Sequence, residues 1–280
     1  MILQENSKRD SWVALRSWGL GLTIPNGSLL EDGTAVEWGK HSNVTVILTL
    51  PNISYTDKTI YLIVSIMTRS DTIIQTAIGI QPNNTYWKSY FMYVTNVYQH
   101  NRTYVPVLLD SIPYFFPGHR ASISIFFKHD EDHRGCWSSS ITNFSTGENI
   151  TVDILNDGSS TFKDGEQEVI ALESYTSNEE VFKHMGEAVL HSILVDGKRV
   201  LNGWYVDDGQ VFDKRPLFEV GGGQVPSFIS IMSKDYGTIV WRYSKPIWNN
   251  SQTSQYSLFF IMTLIVLTII IVYLAYRIKT

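Results

Sequence analysis

Two side chains with chemical potential stand in β-like runs that leave small residues around them: Gln75 and Glu173. In Ile73–Gly79 (IIQTAIG), strand alternation puts Gln75 on one face with Ile73, Ala77 and Gly79, and Ile74, Thr76 and Ile78 on the other. Small residues flanking a polar one suit the floor of a cleft. In Val169–Glu173 (VIALE), the same alternation groups Glu173 with Val169 and Ala171, while Ile170 and Leu172 point away. Taken alone, each is more often a strand end or an edge position than a catalytic group. Other clusters carry weaker signals. Lys128–Arg134 (KHDEDHR) holds two His and three carboxylates, the ligand types of zinc or calcium, but it lies between two expected strands and reads as a solvated hairpin tip, so no metal is assigned. Ser138, Ser139 and Ser140 lack the Gly-x-Ser-x-Gly frame of a nucleophile elbow. Gly221–Gly223 lacks the Gly-Lys-Ser/Thr of a phosphate loop and reads as a flexible connection. No cofactor is expected. Trp87, Tyr90, Phe91 and Tyr93 offer aromatic surface for a peptide or sugar, although aromatics are common in strands.

The elements that must position these groups are strands. Alternating or β-branched runs fall at Asn43–Leu50, Ile60–Met67, Ile73–Ile80, Tyr86–Val97, Val105–Leu109, Ala121–Phe127, Trp137–Ile141, Ile150–Leu155, Glu168–Glu173, Val189–Val195, Phe228–Met232 and Thr238–Tyr243. Turn signals separate them, among them Pro117-Gly118, Asp164-Gly165 and Asp196-Gly197. This spacing predicts an all-β sandwich or barrel rather than strands alternating with helices. One helix is expected near Asn178–Met185, where Ser177 and Glu180 form a capping box.

Leu258–Tyr276 is an uncharged apolar run of nineteen residues, about 28 Å as a helix, followed at once by Arg277 and Lys279. It is expected to cross a membrane and contact its lipid. The positive flank puts residues 277–280 in the cytoplasm and the body outside the cell membrane. The expected organisation is an exterior domain over residues 1–248, a polar stalk over 249–257, the span over 258–276 and the tail. Eight Asn-x-Ser/Thr sequons, at Asn26, Asn43, Asn52, Asn83, Asn101, Asn143, Asn149 and Asn249, suit a glycosylated exterior domain. Against this, MILQENSKRD at the start has no apolar core of a secretory signal. Cys136 is the only cysteine, so no internal disulfide is expected. The formal charge of −5 makes nucleic acid a poor partner.

Ile73–Ala77 (IIQTA) and Glu168–Glu173 (EVIALE) resemble the glutamine and glutamate segments of the glutamic peptidases, or eqolisins. The features between and around them follow that family's order: an aromatic strand (TYWKSYFMY, Thr85–Tyr93), a Pro-Gly turn into an alternating strand (PGHRASISIFF), then SITNFSTGENITVDI. Upstream, Ser11–Leu22 and Val44–Asn52 are similar to its first strands. The resemblance covers roughly residues 10–200. It implies a concanavalin-like antiparallel β-sandwich, of jelly-roll type, with Glu173 as general base and Gln75 as donor to the oxyanion of a tetrahedral intermediate. Tyr61, Trp87, Tyr90 and Tyr93 are expected to line a groove for peptide or glycan, and an acidic milieu is expected of such a base. Glu168 is a second candidate for the base. The chain departs from the pattern at Tyr61–Ser65 (YLIVS), which lacks the family's Trp and Asp, at Met92, where the family has an acid, and at Ala77, where it has Gly. Two functions stay open on this basis: a membrane-anchored acid endopeptidase, and a catalytically inactive sandwich that binds glycan or protein at the cell envelope.

Overall fold

The computed structural model describes residues 18–53, 56–96, 103–129, 135–156, 158–174, 182–202, 204–207, 214–216, 229–235 and 238–243. Sixteen strands follow one another: β1 (Trp18–Ile24), β2 (Asn43–Thr49), β3 (Ile60–Met67), β4 (Ile73–Ile80), β5 (Trp87–Thr95), β6 (Thr103–Phe115), β7 (Arg120–His129), β8 (Gly135–Asn143), β9 (Asn149–Leu155), β10 (Gln167–Ser174), β11 (Ala188–Val195), β12 (Lys198–Arg199), β13 (Trp204–Asp207), β14 (Lys214–Pro216), β15 (Ile229–Asp235) and β16 (Thr238–Tyr243). A 3-10 turn over Trp38–Lys40 is the one complete helical element among the described residues. The pairings are antiparallel throughout. One sheet runs β14-β13-β1-β10-β3-β4-β5-β6, the other β15-β16-β11-β2-β7-β8-β9, with β12 pairing β11.

The expected all-β sandwich is the observed architecture. β3 and β4 occupy the ranges read from alternation, because both runs are rich in β-branched residues and end at turn residues. β2 alternates between half-buried and buried positions along its length, with Val44, Val46 and Leu48 inward. Between the sheets lies one apolar core that takes Ile74 and Ile78 from β4, Phe91 from β5, Ile123 and Ile125 from β7, and Trp137 and Ile141 from β8. Trp137 stacks on Phe162 with ring centroids 4.8 Å apart. One polar link crosses this core: Thr76 Oγ1 donates to Ser139 Oγ at 2.7 Å, and Ser139 Oγ donates to the Ser124 carbonyl at 2.7 Å.

The long edge strand β6 carries Pro106 and a cis Ile112–Pro113 bond, in keeping with the tolerance of edge strands for proline. Of the helix expected near Asn178–Met185, residues 178–181 lie outside the described set, and Phe182–Met185 is a turn that closes on a bridge from Met185 to Ile53. No helix of the described residues is long and apolar enough to cross a membrane, and the run 258–276 lies outside them.

Candidate functional site

The face of the first sheet turned away from the second carries the candidate site. Cross-strand partners share a face. Ser65 pairs with Gln75 and Gln75 with Met92, while Ile63, Ala77 and Tyr90 form the next row, and Tyr61, Gly79 and Lys88 the one after. Gln75 Nε2 donates to Ser65 Oγ at 3.4 Å. Gln75 is therefore aimed along the outer face, as its alternation predicts.

Strand β10 departs from simple alternation. Leu22 of β1 pairs with Ile170, but the next residue, Thr23, pairs with Glu168. One extra residue, Val169, is accommodated there as a bulge. Val169 and Ile170 are both fully buried in the core between the sheets, so the phase of the strand flips. Val169 thus does not share a face with Glu173, and Glu168, which alternation would send inward with Ile170 and Leu172, comes out on the face of Ala171 and Glu173. Gly21 makes room for it: a Cβ there would stand 2.6 Å from Glu168 Oε1.

Glu168 opens onto a cavity of about 270 Å³ lined by Ser65, Met67, Ile73, Lys163, Asp164, Glu166, Gln167 and Glu168. Ser65 lines this cavity and bonds Gln75, so Glu168, Ser65 and Gln75 succeed one another on β10, β3 and β4. At a strand spacing of about 4.8 Å, the backbones bearing Glu168 and Gln75 are roughly 10 Å apart, a span two long side chains and a small molecule can fill. The wall is braced by Gln167, whose Oε1 accepts from the Met67 amide at 3.0 Å and whose Nε2 donates to the Lys163 carbonyl at 2.6 Å. Lys163 is ion-paired with Asp71. Asp164 is held below the ordinary carboxylate range, first by the side-chain amide of Asn26 and then by backbone donors and Arg69. Asp164, Glu166 and Glu168 bring three carboxylates to the lining beside Lys163.

Glu173 lies elsewhere on the same face. It pairs with Tyr61, which pairs with Gly79, four residues along β4 from Gln75. A rise of about 3.4 Å per residue and two strand spacings put the Glu173 and Gln75 backbones roughly 17 Å apart. The structure brings Glu168, not Glu173, to the level of Gln75.

No protein-family model and no curated protein matches the chain. Among solved structures, the chain is similar to scytalido-glutamic peptidase with a transition state analog inhibitor, at a TM-score of 0.45 and 13% identity over 82% of this chain and 98% of that one. It is also similar to SCP-B, a member of the eqolisin family of peptidases in complex with the tripeptide Ala-Ile-His, at a TM-score of 0.43 and 13% identity over 81% and 98%. A likeness at that level assigns no chemistry to this chain.

The aromatic residues expected to bind peptide divide between the two faces. Tyr61 and Tyr90 are on the outer face, edge to face at 5.6 Å, and fill the space that Gly79 leaves open: a Cβ at Gly79 would meet the Tyr61 ring at 2.6 Å and the Tyr90 ring at 2.9 Å. Trp87 is instead fully buried in the core, and Tyr93 packs against that core from its margin. Trp87, Ser89, Phe91 and Tyr93 share one parity along β5, which turns all four inward, while Lys88, Tyr90 and Met92 take the outer face. Tyr61 and Tyr90 are themselves buried, with Ile63 and Ala77, in a second, smaller apolar cluster.

The serine run alternates as strands require. Ser139 faces the core, whereas Ser138 Oγ donates at 2.8 Å to Asp153 Oδ1, which also takes the Lys128 ammonium at 2.6 Å. Lys128 first and Ser138 second hold the Asp153 carboxyl below its ordinary range. Of the acidic and histidine segment 128–134, only Lys128 and His129 are described, and among the described residues no three groups are placed to hold a metal. Gly221–Gly223 lies outside the described residues, as do Asn101 and Asn249. Asn26, Asn52, Asn83 and Asn149 are exposed and Asn43 is half-buried. Asn143 is a correction: it is fully buried, and its Nδ2 donates to the Tyr114 carbonyl at 2.9 Å, so in the folded chain that amide cannot accept a glycan.

Proposed function

We propose that the chain is a peptide hydrolase in which Glu168 is the general base and Gln75 the oxyanion donor. The observation that supports it is the emergence of Glu168, through the β10 bulge, into the cavity that Ser65 links to Gln75. In the reaction, Glu168 takes a proton from water as the water oxygen bonds to the scissile carbonyl carbon. The carbonyl oxygen gains the electron pair and accepts from the Gln75 amide. As the intermediate collapses, the C–N bond breaks and Glu168 returns the proton to the departing amine. A carboxylate base, which ionises in weak acid, and a non-titrating Gln suit work at acidic pH. The domain acts at the outer surface of a cell membrane, anchored by Leu258–Tyr276 with Arg277 and Lys279 in the cytoplasm.

The test is digestion of an unfolded protein by the full chain in detergent, at acidic and neutral pH. Cleavage is expected from the parent, with Gln75→Ala raising the barrier by about 2.7–4 kcal/mol. Glu168→Gln is expected to abolish cleavage, and Glu173→Gln to leave it within a few-fold of the parent. Equal cleavage by the parent and Glu168→Gln sinks the assignment. A second reading is favoured by the burial of Tyr61 and Tyr90 and by Met92 standing beside Gln75: the face is a closed binding surface for glycan or protein without chemistry. No cleavage by the parent, with specific capture of an envelope glycan, selects it.

A further inference from the structure

One end of the sandwich is apolar and exposed. Ile112, Tyr114 and Phe116 alternate outward from the end of β6 at 59%, 42% and 51% exposure, and Phe144, at 51%, sits on the turn between β8 and β9. These segments are tied together: Asn143 Nδ2 donates to the Tyr114 carbonyl, and the Phe144 amide donates to the Arg120 carbonyl, each at 2.9 Å. The exposed Arg120 guanidinium lies 5.8 Å from the Phe144 ring centroid. Clustered exposed apolar side chains mark a surface that meets something. Aromatics beside a guanidinium are the chemistry of a bilayer interface, where rings sit among headgroups and the cation meets phosphate.

Register shows where the chain leaves the sandwich. Val240 of β16 pairs with Val189, Val189 with Thr49, and Thr49 with Arg120. β16 runs on from this row to Tyr243, so it ends at the aromatic end. Residues 244–257 then lead to the apolar run, a connection that can extend at most about 50 Å. We propose that the aromatic end rests on the bilayer surface, with Phe116 and Phe144 in the interfacial layer and Arg120 at the phosphates. This rests on reading 258–276 as a span.

The test uses the full chain carrying Cys136→Ala, so that one introduced cysteine can bear a spin label. It is reconstituted into vesicles of phosphatidylcholine with a minority of phosphatidylglycerol. Labels at Phe116→Cys and Phe144→Cys are expected to collide more with oxygen than with a water-soluble nickel chelate, as is a label at Thr268→Cys within the apolar run. A label at Leu29→Cys, exposed at the other end, is expected to show the reverse. A lipid signature at 268 with a water signature at 116 and 144 overturns the contact alone. A water signature at 268 overturns the span, and this proposal with it. Protection from both reagents at 116 and 144, with spin–spin broadening, would assign the end to a second copy of the chain and overturn the bilayer as its occupant.

Discussion

The two faces of β3, β4 and β5 share a backbone but obey different rules. The inner face meets another sheet, and Val64, Ile66, Ile74, Ile78 and Phe91 fill it without a charge. The outer face mixes Ser65, Gln75 and Met92 with a buried knot of Tyr61, Ile63, Ala77 and Tyr90. Inside, a polar group without a partner is costly, and the Thr76 hydroxyl finds one in Ser139. Outside, polar groups persist beside apolar ones where the cavity keeps them near solvent. The inner face is thus given over to packing, while the outer face combines packing with polar groups.

That division can be broken or sharpened by substitution. The largest effect on folding is expected from Phe91→Ala, which should cost about 3–5 kcal/mol in denaturant unfolding. Gln75→Ala, in the neighbouring row of the ladder and on the opposite face, should leave the unfolding midpoint nearly unchanged. Comparable losses in both would erase the distinction between faces. A smaller effect is expected from Thr76→Val, about 1–3 kcal/mol, because it leaves the Ser139 hydroxyl without its donor. Adding Ser139→Ala should restore part of that loss, measured as a double-mutant cycle. The smallest effect concerns pH and the second sheet. Burial, with Arg120 and Arg199 nearby, holds His191 below the ordinary histidine range. The unfolded chain then binds that proton more readily than the folded one, so stability is full above the unfolded pKa of about 6.5 and falls as pH drops through that value toward the folded one. Melting curves across this window should show the decline, and His191→Gln, keeping a polar contact to Thr49, should flatten it.

Much of the fold was legible because alternation and turn chemistry agree over β2, β3, β4, β9 and β11. The outer placement of Gln75 follows directly from that alternation. The split between Tyr90 and its neighbours Trp87 and Tyr93 was available from the same parity rule, and grouping them by aromatic type concealed it. Glu168 was not legible as the outward residue, because nothing in EVIALE announces a bulge at Val169, and a one-residue change of phase moves every side chain before it to the other face. Asn143 shows the limit of local motifs: its sequon is intact, while its burial depends on Tyr114 and His119, more than twenty positions away.

The bulge lies toward the end of the first sheet opposite the aromatic end of the sandwich. Met67 and Ile73 border the cavity, whereas Ile80 and the strand opposite it lead toward Tyr86 and Tyr114. The length of β4 between them is roughly 24 Å. A body seated on its aromatic end would carry its cavity at that height, like a tool on a fixed stand. What it could work on would then be chosen first by stature: chains that rise to that level from the same surface or arrive from beyond it, before any preference for sequence comes into play.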